Sequence, residues 1–335
     1  MKIAMLSPIA WRTPPKNYGP WEQVASVLTE ALVKKGLNVT LFATGDSITS
    51  GKLQSVCATP YAEDIIVDAK VWECLHISNL MEQAGDFDIV HNHFDFLPLT
   101  YSRLIKTPMV TTIHGFSSEK IIPVYKKYNP DSAYISISDS DRHPELDYHR
   151  TIYHGIDSTK FKLQETKEDY LLFYGRIHPE KGTAEAIEIA KRCDYPIKIA
   201  GLIQNQYYYS RDIAPKLDDK NVTYLGNVGQ EEGNRLLGGA KALLHPITFD
   251  EPFGLSVAEA MMCGTPVIAY NRGSMPELIL DRKTGYLVHT MDQAVEAVKR
   301  LAEIIPQDCR THALEKFGID TMADAYAQVY TELMQ

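Results

Sequence analysis

Short apolar runs alternate with amphipathic stretches along this chain, and the series is set out twice, which leaves few folds open to it. Residues 2–7 read as a strand. Residues 21–35 read as a helix, because Val24, Val27, Leu28, Ala31 and Leu32 share one face at i, i+3, i+4 spacing, and Gly36 closes it as a C-terminal glycine. Residues 37–43 form the second strand. Further strands are expected at 88–91, 109–113, 134–138 and 151–153, with helical stretches near 68–83, 96–105 and 117–127. The polar segment 154–169 has no long apolar run and reads as a linker. A second series follows, with strands at 170–174, 197–200, 222–225, 242–245, 267–269 and 285–288. Its helices are expected at 183–192, 231–239, 256–263 and 291–304. A last helix, 319–334, carries Met322, Ala325, Tyr326, Val329 and Tyr330 along one side. Strands alternating with helices imply parallel sheets covered on both faces.

A chain of 335 residues exceeds what one hydrophobic core serves, so two domains are expected: residues 1–157 and 158–316, each a Rossmann-like doubly wound α/β unit. The formal net charge of −9 argues against nucleic acid, whose phosphates reward clustered Lys and Arg. Lys126-Lys127 beside Ile121, Ile122 and Tyr125 reads as a solvated helix face and leaves room for peripheral membrane contact. Residues 1–8 have too short an apolar run for a signal peptide, and no segment reaches the ~20 apolar residues of a transmembrane helix. The five cysteines form no close pair and no zinc spacing. Lying in apolar or helical context, they are expected to be buried, reduced thiols of a cytoplasmic protein.

In doubly wound sheets ligands sit at the carboxyl ends of strands, and four constellations fall there. The most informative runs from Glu251-Pro252-Phe253-Gly254-Leu255 through Glu259. Pro252 keeps the two carboxylates off one continuous helix, and the amides of Phe253 to Val257 are expected to lie exposed between them. Such amides take an anion and such carboxylates take hydroxyls, and a nucleotide sugar offers both. In the second constellation, Gly175-Arg176 leave a strand and Lys181 follows just before a helix. There Arg176 can fork onto phosphate oxygens while Lys181 acts as a point charge.

The third is the loop Pro14 to Glu22, where Gly19 lets a phosphate approach the backbone. A plain turn, with Pro20 opening a helix and Glu22 complementing its dipole, is the alternative. The fourth is histidine: His91 and His93 follow one strand and His114 another. His91 is expected to be a hydrogen-bonded structural residue, whereas His114 is a site candidate. The Asp86/Asp88 and Asp139/Asp141 pairs are assigned no metal, the second being read as a helix cap.

Gly19, His114, Arg176, Lys181 and the Glu251/Glu259 pair, in that order and at those separations, resemble the family 4 retaining glycosyltransferases of the GT-B fold (glycosyl transferases group 1). The resemblance implies two Rossmann-like domains facing each other across a cleft, with the helix from about residue 317 to 335 packing back on the first. It implies transfer of a hexosyl unit from a nucleoside-diphosphate sugar to an acceptor hydroxyl, with retention, by front-face attack and without a metal or other cofactor. A UDP-sugar is favoured as donor, GDP-mannose next, and the acceptor is a carbohydrate, a lipid-linked or a small molecule. Carried across by position, the catalytic set is His114, Arg176, Lys181 and Glu251. The donor-binding set is Gly19, Arg176, Lys181, Glu251, Phe253, Gly254, Leu255 and Glu259. Tyr18, Trp21, His93 and Phe116 are placed on the acceptor side. Pro20, where the family has a second loop glycine, has no N–H to offer. The alternatives are a non-catalytic nucleotide-sugar or glycan-binding protein and a nucleotide-sugar epimerase on the same fold.

Overall fold

The computed structural model of the chain describes residues 1–64 and 66–335. The elements in chain order are β1 (Lys2–Leu6), α1 (Pro20–Lys34), β2 (Asn38–Phe42), β3 (Lys52–Gln54), α2 (Ala69–Met81), β4 (Ile89–Asn92), β5 (Met109–Ile113), α3 (Ile122–Tyr128), β6 (Ala133–Ser136) and β7 (Arg150–Thr151). They continue as β8 (Leu171–Tyr174), α4 (Thr183–Arg192), β9 (Ile197–Ala200), α5 (Gln206–Tyr208), β10 (Val222–Tyr224), α6 (Gln230–Gly239), β11 (Ala242–His245), α7 (Leu255–Met262) and β12 (Val267–Tyr270). The remainder are α8 (Met275–Leu278), β13 (Gly285–Val288), α9 (Met291–Lys299), α10 (Pro306–Phe317) and α11 (Ile319–Leu333). The chain divides into two compact units, Met1–Gly155 with Ile319–Gln335, and Ile156–Gly318.

Both units are parallel sheets of Rossmann-like order. The first runs β3-β2-β1-β4-β5-β6-β7 and the second β10-β9-β8-β11-β12-β13. The order reverses beside β1 in one sheet and beside β8 in the other, and the loops after the strands at such a reversal are where ligands gather. Ile3 to Leu6 of β1 and Leu171 and Leu172 of β8 are fully buried, as strands covered on both faces must be.

In the first unit α11 packs against α1, burying Met322, Tyr326, Val329 and Tyr330. Each of these contributes about 1.5–3 kcal/mol by leaving water. The tyrosine hydroxyls are satisfied inside: Tyr330 Oη lies 2.6 Å from His91 Nδ1 and Tyr326 Oη 2.7 Å from Thr112 Oγ1. Thr112 Oγ1 in turn lies 2.8 Å from His91 Nε2. His91 is thereby hydrogen-bonded on both nitrogens, in the structural role expected of it.

The boundaries between units fall two residues earlier and two later than 157/158 and 316/317. Ile156 pairs with Gly318 in a short parallel bridge, and its N–H donates to the Phe317 carbonyl at 2.7 Å. Arg310 of α10 donates to the carbonyls of Ser158, Phe161 and Met262, pinning the supposed linker to the second unit.

Several other expectations are corrected. The helix expected over 291–304 stops at Lys299 and gives way to a 3₁₀ turn at Leu301–Glu303. The stretch 96–105 holds a 3₁₀ helix, Leu97–Tyr101, and 117–127 splits into a 3₁₀ turn and α3. No helix follows Asp139 and Asp141, where the chain turns instead, so they cap none; Asp139 Oδ1 accepts from the Thr151 hydroxyl at 2.5 Å. Cys57, Cys263 and Cys309 are buried, but Cys74 is exposed on α2 and Cys193 half-buried. No helix among the described residues is long and apolar enough to cross a membrane.

Candidate active site

In the second unit the loop after β8 and the loop after β11 are clasped backbone to backbone. Thr248 N–H donates to the Glu180 carbonyl at 2.9 Å. Gly182, the N-cap of α4, has φ +74°, and a Cβ there would stand 2.0 Å from the Pro246 carbonyl oxygen, so no other residue fits that approach. The clasp sets the Lys181 ammonium on Glu251 Oε2, two groups 70 residues apart in sequence. The ammonium also lies 4.7 Å from the centre of the Phe249 ring, a cation–π contact.

Glu251 is 9% exposed. Burial alone would raise its pKa, but the neighbouring His245 and the Lys181 charge overcome that and hold the carboxyl well below its ordinary range. It is therefore an acceptor-only carboxylate at neutral pH. His245, last residue of β11, brings Nε2 to 3.5 Å from the same oxygen, and burial lowers its own pKa.

The loop after β12 props this arrangement from below. Ser274 N–H donates to the Glu251 carbonyl at 3.0 Å, Ser274 Oγ to the Phe253 carbonyl at 2.6 Å, and Gly273 presses against the Glu251 backbone. Gly254, φ +91°, is the N-cap of α7, which starts at Leu255. The run of amides expected from Phe253 to Val257 is shorter than supposed, because Val257 N–H donates to the Gly254 carbonyl at 3.0 Å. The first-turn amides of Leu255 and Ser256 are left without an intrahelical partner. Phe253 points its ring inward, edge to face with Phe317 at 5.8 Å. Glu259 lies further along α7, where crowding by protein pushes its carboxyl up to about 7.

Arg176, just past β8, is held by the Gln204 side chain. Its loop approaches closely because Gly201, φ +149°, lies against the Gly175 carbonyl, where a Cβ would stand 1.8 Å from the oxygen. The structure thus brings Lys181 and Glu251 into contact, adds His245 to them, and sets Arg176, Gly254, Leu255 and Glu259 on the strand-end loops and α7 of the same unit.

The first unit has a different chemistry. Gly19, φ +150°, caps α1 and is walled in by Pro15, Trp11 and Glu22. Glu22 turns inward: 3% exposed, it accepts the Trp11 N–H at 3.1 Å, and burial pushes its carboxyl up to about 7. Trp21 lies nearly parallel to His114, ring centres 5.5 Å apart. His114 Nε2 is 2.9 Å from His93 Nδ1, and its Nδ1 is 3.4 Å from His154 Nε2. Burial and mutual repulsion depress the pKa of His93 and His114, and burial alone takes His154 to about 3. Tyr18 packs edge-on to Trp11 at 6.0 Å, and Phe116 packs against Tyr125 and His143.

Sequence reasoning passed over His154 and His245, and read Glu22 only as a complement to the helix dipole. His245 carried a signal, a polar residue ending the apolar strand Ala242–His245. Glu22 carried only its place in the first turn of α1, and His154 none that is local. Among the described residues no cluster of three or more His, Cys, Asp or Glu is placed to hold a metal ion.

Residues 156–319 match the family model of glycosyl transferases group 1, which covers the second unit, where the charged constellation lies. Over nearly its full length the chain is similar to a glycogen synthase of Mycobacterium tuberculosis, at 25% identity covering 98% of this chain and 94% of that protein. Solved structures agree in fold. Sucrose-phosphate synthase from Thermosynechococcus elongatus superposes with a TM-score of 0.80 at 18% identity, covering 99% of each chain. Anabaena HepE, solved in complex with UDP-glucose, gives 0.75 at 16% identity, covering 99% of this chain and 100% of that one. The match to group 1 glycosyl transferases thus falls on the second unit, and the chain as a whole shares the GT-B fold of two parallel-sheet Rossmann-like units.

Proposed function

We propose that the chain is a retaining, family 4 hexosyltransferase that uses a nucleoside-diphosphate sugar, a UDP-sugar before GDP-mannose, and needs no metal. The observation that carries this reading is the Lys181–Glu251 pair, set by the clasped loops beside the N-terminus of α7. A diphosphate arriving there competes with Glu251 for the Lys181 ammonium, and Arg176 adds a second cation. Glu251, kept ionised, then turns to hydroxyls of the transferred sugar. The Leu255 and Ser256 amides face phosphate oxygens, and Glu259 takes the ribose hydroxyls.

In the transfer, the bond from the anomeric carbon to the diphosphate oxygen breaks and a bond to the acceptor oxygen forms on the same face. The acceptor proton passes to the departing phosphate, whose growing charge Lys181 and Arg176 stabilise. The acceptor, a carbohydrate, a lipid-linked or a small molecule, is assigned to the first unit, where Trp21 and His93 line the strand ends. The five free thiols suit the cytoplasm.

The test is incubation with UDP-glucose or GDP-mannose and a panel of acceptors, with and without EDTA. The expected outcome is nucleoside diphosphate release that rises with acceptor, is unchanged by EDTA, and yields a glycoside with the donor's anomeric configuration. Binding without turnover on any acceptor would favour a binding protein. An altered nucleotide sugar with no glycoside would favour an epimerase.

A further inference from the structure

Two groups of the second unit approach the Glu251 carboxylate, the Lys181 ammonium and His245 Nε2, and both address the same oxygen, Oε2. Among the described residues no hydrogen bond reaches Oε1. The two approaches differ in kind. Lys181 makes a hydrogen-bonded ion pair, whereas His245 Nε2 stands 3.5 Å away, buried and without a hydrogen-bond partner among the described residues. Ordinary N–H···O bonds close to about 2.9–3.0 Å, so the imidazole faces the carboxylate without engaging it. Each imidazole nitrogen carries either a proton or a lone pair. A lone pair would repel the carboxylate, so Nε2 carries the N–H.

The backbones beneath these groups differ too. His245 ends β11, an inner strand paired with β8 on one side and β12 on the other, and is 5% exposed. The Glu251 backbone is fixed by Ser274 and Gly273. Lys181 alone reaches the pair on a long flexible stem. Any anion that draws the ammonium off leaves a buried carboxylate behind, and breaking a buried pair in that way is strongly unfavourable unless another donor satisfies the charge left over. His245 is the donor in place. Of the charges around its ring, Glu251 favours the protonated imidazole and Lys181 opposes it, so departure of the ammonium strengthens the contact between His245 and Glu251.

We infer that His245 is a positioning residue held in reserve: when a ligand's phosphate takes Lys181, the Nε2–H of His245 closes on Glu251 Oε2 and keeps the carboxylate in place, leaving Oε1 for the ligand's hydroxyls. That the ligand is a nucleoside-diphosphate sugar rests on the function proposed above; the hand-over of Oε2 from Lys181 to His245 does not.

Two double-variant cycles on the full chain test the hand-over, one without ligand and one with it. In the first, melting temperatures are measured for wild type, Lys181→Met, His245→Leu and the double variant. His245 takes Oε2 once Lys181 is gone, so the fall in the double variant is expected to exceed the sum of the falls in the single ones. Lys181→Met with His245→Gln, whose amide N–H stands where Nε2 was, is expected to fall no further than Lys181→Met alone, and serves as the test should the doubly apolar variant not fold. Falls that merely add, or a Gln double variant as unstable as the Leu one, overturn the inference. In the second cycle UDP is titrated calorimetrically. His245→Leu is expected to lower affinity by about tenfold where Lys181 is present, and by less than about twofold in the Lys181→Met chain, which has no ammonium to draw off. His245→Gln is expected to keep affinity within about threefold of wild type. Equal losses from His245→Leu in both backgrounds contradict a hand-over and mark a structural role. A wild type that does not bind UDP, beside a first cycle that is more than additive, counts against the proposed function and leaves the hand-over standing.

Discussion

The two units share one architecture and differ in how they charge their strand ends. In the second, the residues after β8 and β11 put an ammonium, a guanidinium and an ionised carboxylate on neighbouring loops. In the first, the equivalent positions after β1, β4 and β5 carry a walled-in glycine, an inward carboxyl and a row of uncharged imidazoles under Trp21. One set of strand ends presents fixed charge and the other uncharged imidazoles beside an indole ring. The difference teaches that a doubly wound scaffold leaves the choice of ligand to the loops alone.

The contrast can be broken most sharply at Lys181. Lys181→Ala should lower kcat by about 10²–10³-fold, the usual cost of losing one donor to developing charge. It should also destabilise the second unit, since Glu251 is left buried and unpaired, by up to about 3–5 kcal/mol. Steady-state kinetics and urea unfolding check the two parts. A variant that keeps near-wild-type activity would remove the charged site from the account. Gly182→Ala comes next: with a backbone carbonyl 2.0 Å from the new Cβ, the clasp must open, at about 3 kcal/mol and with lost donor binding, read by calorimetry. No comparable loss is expected from Gly36→Ala, where nothing stands within 4 Å, although its φ of +85° still costs about 1 kcal/mol.

Acid should separate the units. His76, His91, His93, His114 and His154 of the first unit all have pKa values depressed by burial, His76 to about 4 and His154 to about 3. Unfolded histidine titrates near 6.5, so below that pH the unfolded state binds more protons than the folded one. The first unit is therefore at full strength above pH 6.5 and weakens as pH falls toward 4 and 3. Hydrogen exchange between pH 7 and 4 should show β4 and β5 losing protection before β8 and β11; the reverse order would sink this part. The smallest effect expected is that of Tyr330→Phe, about 1 kcal/mol for the hydroxyl bonded to His91, measured by thermal unfolding.

Much of the fold was legible in the sequence because strands buried on both faces read as near-continuous apolar runs, as Ile3–Leu6 and Leu171–Phe173 do. Where packing uses small residues the pattern faded. Helix α10 buries Cys309, Ala313 and Phe317 at i, i+4, i+8, but the charged residues between them hid the stripe. The charged loops of the second unit were readable for a similar reason. Arg176, Lys181 and Glu251 are ions on strand-end loops, with Glu259 on the helix that follows, and their spacing survives in one dimension. The histidine row of the first unit was not, because His93, His114 and His154 are residues 21 and 40 apart and the row exists only after three elements have been brought together. Glu22 misled in the same way, since its place in the first turn of α1 fits a surface acid and only the packing of Trp11 and Gly19 turns it inward.

The central claim, that the cations of the second unit hold the diphosphate, is met most directly by isothermal titration of UDP into wild type and Lys181→Met, a variant that keeps the side chain's bulk and removes its charge. The account predicts one site in the wild type and, in the variant, affinity lower by about tenfold or more, as for a lost charged contact, with EDTA making no difference to either. Equal affinities for UDP in two equally folded proteins would contradict it.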